Sequence, residues 1–186
     1  LHLIPDAYSR MIVGWELADT LRASITIRAL EQAISQTGEV SLEGLIHHSD
    51  RGVQYCCDDY VRRLQTHKIK ISMTEDYNPT DNAIAERANG VIKTETVYSR
   101  KTFNSLEHAR DVIGRFIHFY NYRRPHMSIG YKIPAVVHTE RGPQKKMWKA
   151  KIYTKKMDAN GNNDISLQSR TTGPDDSCSH QTGKSI

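Results

Sequence analysis

The sequence predicts an α/β domain in which helices cover a sheet of mixed strand direction. Short strand-like runs occur at residues 1–4, 11–17, 45–48 and 69–73. Helical periodicity lies between them and after them, so the order is strand, strand, helix, strand, helix, strand and then helices. The 186 residues suffice for one domain with a buried core, followed by a tail.

The first two strand runs predict a β-hairpin. Residues 1–4 are apolar or aromatic, and residues 6–10 (DAYSR) have the composition of a turn. Residues 11–17 then alternate in polarity, which is typical of a strand with one buried face. The side chains expected on that face are Met11, Val13, Trp15 and Leu17.

Two helices are expected on either side of the later strands. Ser24 is the expected cap of the first, which should end before Gly38. Thr80 or Asp81 should cap the second.

A further helix has the clearest amphipathic pattern in the chain. Asn104, with Glu107 three residues later, resembles a capping box, and the helix must end before Pro125. Its expected buried face comprises Leu106, Ala109, Val112, Ile113, Phe116, Ile117 and Tyr120.

The positive charge is concentrated near the C-terminus. Of the net charge of +5, residues 145–156 contribute six lysines, which leaves −1 for the rest of the chain. Aromatic residues are interleaved with these lysines, so Lys145, Lys146 and Lys149 are candidate contacts for a phosphate backbone. A solvated, lysine-rich extension fits the same pattern equally well. Residues 139–157 are interpreted as a basic extension, and residues 158–186, poor in apolar side chains, as a disordered tail.

The cysteines and the N-terminus exclude some classes of protein. Three cysteines without a Cys-x-x-Cys pair indicate neither a disulfide framework nor a zinc site, and they suit a reducing cytoplasm. The sequence has no run typical of a membrane span or a secretory signal. It does not begin with methionine, so the gene product is expected to start upstream.

Two carboxylates occupy positions suited to metal chemistry. Asp50 directly follows a predicted strand, where α/β sheets commonly place reactive groups. Glu86 lies on a predicted helix that carries Lys93 two turns later on the same face. The whole polar face comprises Asn82, Glu86, Asn89, Gly90 and Lys93. Such an acid is more often a simple surface charge, so either residue alone indicates little.

Acidic residues of this kind would suit phosphodiester chemistry. Hard cations such as Mg²⁺ prefer oxygen ligands, and paired ions can stabilise both the attacking and the leaving oxygen at phosphorus. Lys93 would then meet a nearby phosphate as a point charge.

Several separated motifs together resemble bacterial insertion-sequence transposases related to retroviral integrases. The motifs are residues 48–55 (HSDRGVQY), 78–86 (NPTDNAIAE), 6–10 followed by 12–15 (IVGW), and 120–126 (YNYRRPH). Thirty-five residues separate Asp50 from Glu86, as between the second and third catalytic acids of that family, and Lys93 matches its DNA-contacting lysine. The resemblance covers residues 1–138, which are interpreted as a partial catalytic core.

The resemblance implies a ribonuclease H-like fold and metal-dependent cleavage and joining of DNA. Asp50 and Glu86 would bind Mg²⁺ or Mn²⁺, and Asn82, Asn89, Arg123 and Arg124 join Lys93 as candidate DNA contacts. The arginines before Pro125 could instead complement the dipole of a helix end. The implied partners are transposon-end and target DNA and further copies of the chain, in the bacterial cytoplasm at the nucleoid.

The chain departs from the family pattern at its beginning. The family's first catalytic aspartate lies on a central strand upstream of residues 1–4, and Asp6 aligns instead with a structural turn residue. Without that strand, residues 1–4 and 45–48 lose ladder partners. We therefore expect this fragment to be poorly folded and inactive alone. The alternatives are a DNA-binding or oligomerising remnant without catalysis and, less favoured, a ribonuclease H-type nuclease.

Overall fold

The computed structural model describes residues 1–38, 40–74, 82–99 and 102–144, together with the backbone of 152–157 and 163–168. Its elements are β1 (His2–Pro5), β2 (Ile12–Glu16), α1 (Ala23–Ser35), β3 (Ile46–Ser49), α2 (Val53–Cys56), α3 (Asp58–Thr66), β4 (Lys70–Met73), α4 (Ala83–Ile92), a π-helical turn (Lys93–Val97), α5 (Leu106–Tyr122), a 3₁₀ turn (Met127–Ile129), α6 (Pro134–Thr139), β5 (Ile152–Met157) and β6 (Asn163–Gln168). This order confirms the predicted α/β class.

The predicted N-terminal hairpin is confirmed. β1 and β2 pair antiparallel, with Leu3 opposite Trp15. Asp6 accepts hydrogen bonds from the backbone N–H groups of Tyr8 and Ser9, so its side chain organises the turn.

The prediction of a single buried face for β2 is wrong, because the strand contains a bulge. The pairing steps from Ile4 opposite Gly14 to Pro5 opposite Ile12, which leaves Val13 as an extra residue. An extra residue reverses the inward and outward alternation beyond it. Met11 and Val13 therefore pack on one side of the hairpin, whereas Trp15 and Leu17 pack on the other.

Two hydrophobic cores lie on opposite sides of the hairpin. The first core joins it to α1, α3 and the β3–β4 pair through Ile4, Met11, Val13, Ala29, Leu30, Ala33, Leu45, Tyr60, Leu64 and Ile69. The second core joins it to α4 and α5 through Leu3, Ile12, Ala88, Val91, Ile92, Ile113, Ile117 and Tyr120. The hairpin is thus the middle layer between two layers of helices.

The strands form separate pairs within the described part of the chain. β3 and β4 pair in parallel from Ile46 opposite Lys70 to Ser49 opposite Met73. β1 is hydrogen-bonded to β2 alone and β3 to β4 alone, so no ladder joins residues 1–4 to residues 45–48. The first core, through α1, connects the two pairs by side-chain packing.

Two of the expected helix caps are wrong. α1 begins two residues earlier than a cap at Ser24 would allow, with Arg22 at the N-cap and no side-chain cap hydrogen bond. It ends before Gly38 as predicted. The cap of α5 is Ser105, whose hydroxyl accepts the His108 N–H at 3.1 Å, so the capping box of Asn104 with Glu107 is not formed.

The buried face of α5 is confirmed in its central part. Ala109, Val112, Ile113, Ile117 and Tyr120 are buried, while Leu106 at the first turn is exposed. The helix ends at Tyr122, before Pro125 as predicted. A proline ring restricts the preceding residue to extended backbone, so the helix cannot continue through it.

A second hairpin lies in the C-terminal region. β5 and β6 pair antiparallel from Ile152 opposite Gln168 to Met157 opposite Asn163. Residues 163–168 thus form a strand inside the segment for which composition indicated no regular structure, because ladder hydrogen bonds with β5 satisfy its backbone. No helix in the described residues is long and apolar enough to cross a membrane.

Candidate functional site

Asp50 lies at the carboxyl end of the parallel β3–β4 pair. Its side chain is exposed, and its Oδ1 accepts the Gly52 N–H at 2.9 Å, which orients the carboxylate by a local turn. The neighbouring Arg51 donates from Nε to the Thr74 carbonyl at 2.8 Å, so the loop after β3 is tied to the end of β4. The second oxygen, Oδ2, makes no hydrogen bond to a described residue and is available as a ligand.

Buried aromatic side chains support the strand that leads to Asp50. His47 is buried, and its Nε2 lies 3.0 Å from the Tyr60 hydroxyl. Burial, with a smaller contribution from His48, lowers the pKa of His47 to about 4, so the ring is neutral near pH 7. Tyr55 packs edge-on against Tyr60, and burial together with the charge of Asp50 raises the pKa of Tyr55. This support was not predicted from the sequence, although the alternation along β3, with His47 and Ser49 inward, could have indicated it.

Glu86 lies on the exposed side of α4, one turn after the helix begins. Ala88, Val91 and Ile92 on the opposite side are buried in the second core, while Lys93 at the start of the π-helical turn is exposed. The predicted division into a buried and a polar face is therefore confirmed for this helix. The carboxylate is presented to solvent from a helix whose position is fixed by packing.

The two asparagines of this face have local roles. Asn82 is the N-cap residue of α4 without a side-chain cap hydrogen bond, and its carbonyl accepts the Glu86 N–H at 3.1 Å. Asn89 donates from Nδ2 to the Ala85 carbonyl at 3.2 Å, which leaves its Oδ1 available. Thr80 and Asp81, the expected caps, lie outside the described residues.

Asp50 and Glu86 belong to different layers of the fold. Asp50 follows a strand of the β3–β4 pair, whereas α4 packs on β1 and α5. Among the described residues, no hydrogen bond or shared partner joins the two side chains. Across the described segments, no three side chains of His, Cys, Asp or Glu converge closely enough to hold a metal ion.

The environment of Asp6 is that of a structural residue. It is buried, and its carboxylate accepts hydrogen bonds from the backbone of Tyr8, from both donors of Ser9, and from His138 Nδ1 at 3.0 Å. Burial alone would raise the pKa of Asp6, but these hydrogen bonds outweigh it and hold the pKa below its ordinary value. Both oxygens are therefore engaged inside the β1–β2 turn and its contact with α6.

Arg123 and Arg124, adjacent in sequence, differ in environment. Arg123 is exposed at the C-cap of α5. Arg124 donates to Glu95 Oε1 at 2.7 Å, and its guanidinium carbon lies 5.9 Å from the centre of the Tyr120 ring. Arg124 therefore ties the end of α5 to the π-helical turn after α4. The candidates Lys145, Lys146 and Lys149 lie outside the described residues.

Two family models, both described as the integrase core domain, match consecutive parts of the chain. One matches residues 1–79 and the other residues 67–134. The chain belongs to the integrase core family. The predicted integrase-like core is thereby confirmed, and relatives from insertion sequences confirm the predicted resemblance to transposases of such elements.

Relatives of this integrase core come from bacterial insertion sequences. A protein of element IS986/IS6110 from Mycobacterium tuberculosis is 37% identical over 130 residues, which cover 68% of this chain and 47% of the relative. The IS600 31 kDa protein of Shigella sonnei is 37% identical, over 71% of this chain and 48% of its own length. The transposase of IS629 from Shigella sonnei is 30% identical, over 71% and 43% respectively. The chain thus spans about half the length of the relatives it matches.

Solved structures with the same fold are retroviral integrases. The catalytic core domain of HTLV-2 integrase in complex with magnesium superposes with a TM-score of 0.52 at 20% identity, covering 72% of this chain and 80% of that domain. A simian T-cell lymphotropic virus intasome in complex with PP2A regulatory subunit B56 gamma superposes with a TM-score of 0.53 at 17% identity, over 82% of this chain and 54% of that one. The predicted ribonuclease H-like fold is confirmed.

Proposed function

We propose that this integrase core is the catalytic part of a DNA transposase, in which Asp50 and Glu86 bind a divalent cation at a DNA phosphate. The observation that carries the proposal is the presentation of both acids. Asp50 is oriented by the Gly52 N–H at the end of a parallel strand pair, and Glu86 projects from a packed helix. Family membership and the insertion-sequence relatives support DNA as the substrate.

The chemistry of the donors fits Mg²⁺ or Mn²⁺. Both candidate ligands are carboxylates, which hard cations prefer, and the magnesium complex of the HTLV-2 core supports the same class of ion. When bound, such a cation would offset the charge that develops on phosphorus during cleavage and strand transfer. Asp50 and Glu86 would hold it, and Lys93, exposed two turns beyond Glu86, would position the DNA by contacting a phosphate.

Paramagnetic relaxation by Mn²⁺ tests this proposal directly. We expect Mn²⁺ to broaden the amide signals of the Asp50 loop and of the first turn of α4 at the same ion concentration. Asp50→Asn and Glu86→Gln should each weaken broadening at both places, because the two carboxylates share the ion. Asp111→Asn is the matched control, since Asp111 is an exposed acid on α5 paired with Arg115.

Cleavage and joining of insertion-sequence end DNA is the second readout. For the 186 residues alone the resemblance implies no cleavage or joining of DNA. In a chain that includes the family's first catalytic aspartate, the expected result is metal-dependent activity that Asp50→Asn abolishes and Asp111→Asn leaves unchanged. If Mn²⁺ broadens scattered surface acids instead, and neither Asp50→Asn nor Glu86→Gln alters the pattern, the proposed metal site is wrong.

A DNA-binding or oligomerising role without catalysis is the second candidate function. It is favoured by the six lysines concentrated in residues 145–156, which suit contact with a DNA backbone without any metal. DNA binding in the presence of EDTA, with no cleavage on addition of Mg²⁺ or Mn²⁺, would favour this role. In either case we propose transposon-end and target DNA and further copies of the chain as partners, acting at the bacterial nucleoid.

A further inference from the structure

The helix that carries Glu86 changes its winding at Lys93. α4 ends at Ile92 and continues without a break into the π-helical turn Lys93–Val97. The Tyr98 N–H donates to the Lys93 carbonyl, five residues back, at 2.8 Å. Such turns are rare and occur frequently at functional sites. The winding thus changes directly beyond the face on which Glu86 and Lys93 lie.

The wider turn brings Tyr98 towards the side of the helix that carries Lys93. Val91, seven residues before Tyr98, is buried, and an uninterrupted α-helix would place Tyr98 on that buried side. In a π-helical turn the hydrogen bond spans five residues rather than four, so Tyr98 lies closer to the side of Lys93. Exposure agrees with this placement, because Tyr98 is 75% exposed and Thr96, inside the turn, is buried. Lys93 and Tyr98 therefore face solvent together with Glu86.

The π-helical turn is held in place by hydrogen bonds and by an ion pair. The buried hydroxyl of Thr96 donates to the Ile92 carbonyl at 2.5 Å, and the Ser99 hydroxyl donates to the Glu95 carbonyl at 3.1 Å. The Glu95 carboxylate accepts from Arg124 at 2.7 Å, which joins the turn to the end of α5. Tyr98 therefore projects from a backbone that is ordered before any ligand arrives, and such preorganisation lowers the entropic cost of binding.

Gly90 lies on the same outward face, four residues after Glu86 and three before Lys93. A glycine inside a helix costs about 1 kcal/mol relative to alanine. A Cβ at this position would meet nothing within 4 Å, so packing within the described part of the chain does not require the glycine. The missing side chain allows another molecule to approach the helix backbone closely. The face thus combines a carboxylate, an open stretch of backbone, an ammonium group and an exposed aromatic ring.

We propose that Tyr98 contacts DNA, and that its ring stacks on an unpaired base of the strand whose phosphates lie at Glu86 and Lys93. Every base has a π-face, so stacking on an aromatic ring gives affinity without sequence preference. A base must leave the double helix before it can stack on a side chain, so Tyr98 acts where the duplex is frayed or opened. The proposal rests on the proposed function and deepens it, because it assigns a substrate contact to a residue outside the sequence motifs.

The affinities for two DNA duplexes test the stacking without any metal. One duplex is blunt and the other carries a single-stranded overhang, and each is titrated with the 186-residue chain in EDTA. Tyr98→Ala should weaken binding of the overhang duplex on the order of tenfold, and binding of the blunt duplex by less than about twofold. Tyr98→Phe should bind both duplexes as tightly as the unchanged protein, because stacking requires the ring and not the hydroxyl.

Tyr131→Ala is the matched control. Tyr131 is a tyrosine 59% exposed after the 3₁₀ turn, outside α4, so its loss should leave both affinities unchanged. Salt dependence distinguishes the ring from the neighbouring charge. Lys93→Gln should make the slope of log K against log salt shallower by about one for both duplexes. Tyr98→Ala should leave the slope unchanged, since it removes no charge.

A fluorescent base analogue in the overhang reports the stacking directly. Its emission should fall when the unchanged protein or Tyr98→Phe binds, and should change much less with Tyr98→Ala. If Tyr98→Ala binds the overhang duplex as tightly as the unchanged protein does, or weakens both duplexes equally, Tyr98 does not stack on an unpaired base. That result leaves metal binding by Asp50 and Glu86 untouched. If the unchanged protein binds neither duplex, DNA is not its partner, and the proposed function fails together with the stacking.

Discussion

Gly14 shows how closely the hairpin and α1 approach each other. A Cβ atom at this position would collide with the Ala29 carbonyl oxygen and press on the Ala33 side chain. Because the obstructing atom belongs to the helix backbone, it cannot move away by side-chain rotation. We predict that Gly14→Ala lowers the free energy of unfolding by about 1–3 kcal/mol, measured by urea denaturation.

Gly90 provides the matched control for this prediction. It lies within α4, and a Cβ there would meet open space. Gly90→Ala should leave stability unchanged or raise it by up to about 1 kcal/mol, since alanine is the better helix former. Equal effects of the two substitutions would mean that the approach of β2 to α1 is not as close as described.

His47 makes stability depend on pH in a defined direction. The pKa of folded His47 is about 4 because the ring is buried, whereas the unfolded chain has the ordinary value of 6.5. Between these values the unfolded chain binds a proton that the folded chain excludes, so the stabilisation is complete above about pH 6.5 and is lost as the pH falls towards 4.

The size of the effect can be checked by denaturation at two pH values. We expect the free energy of unfolding to fall by about 2 kcal/mol from His47 between pH 7.5 and pH 5. His126 acts in the same direction but is only half-buried and contributes less. His47→Gln should remove most of this pH dependence whatever its effect at pH 7.5. If the free energy of unfolding of His47→Gln falls as much between pH 7.5 and pH 5 as that of the unchanged protein, His47 is not the source of the pH dependence.

At the scale of single elements, local signals predicted that a helix or strand exists better than where it begins. Ser105 and Asn104 are both good N-cap residues, and a glutamate lies three residues after Asn104, so composition favoured the wrong one. The backbone decides, because Ser105 adopts the extended conformation of a cap and its hydroxyl reaches His108 N–H. The bulge at Val13 escaped prediction for a similar reason, since it depends on the pairing of β2 with β1 and leaves the alternation of residue types intact.

Two alanine substitutions at the start of α5 distinguish the caps. Ser105→Ala should destabilise the protein by about 1 kcal/mol, because the His108 N–H loses its acceptor. Asn104→Ala should change stability by less than about 0.5 kcal/mol, since the Asn104 side chain caps nothing. Thermal or urea unfolding measures both, and a larger loss for Asn104→Ala would restore the capping box.

At the scale of the whole molecule, the chemistry of single residues was visible in the sequence but their convergence was not. Asp50 and Glu86 could be predicted as site residues because each is marked by a local pattern. Asp50 follows the end of a predicted strand, and Glu86 lies on the polar face of a predicted amphipathic helix. Asp6 and His138 lie over a hundred residues apart, and only the docking of α6 against the β1–β2 turn brings them within 3.0 Å. The same limit applies to the pair of cores, because apolar periodicity shows which side of a helix is buried but not which strands it covers.

Although poor folding was expected from the sequence, the two strand pairs should unfold together, because α1, the hairpin and residues beside β3 and β4 share the first core. Leu30 is buried in the first core, which contains Val13 from the hairpin and Leu45 beside β3. Leu30→Ala should cost about 2–5 kcal/mol and lower the hydrogen-exchange protection of β2 and β3 amides by similar amounts. Ile113→Ala is the matched control in the second core, which contains hairpin residues but none from β3. We expect it to reduce protection in β2 more than in β3. If Leu30→Ala exposes β2 while β3 keeps its protection, the pairs fold independently, and α1 does not join them into a single cooperative unit.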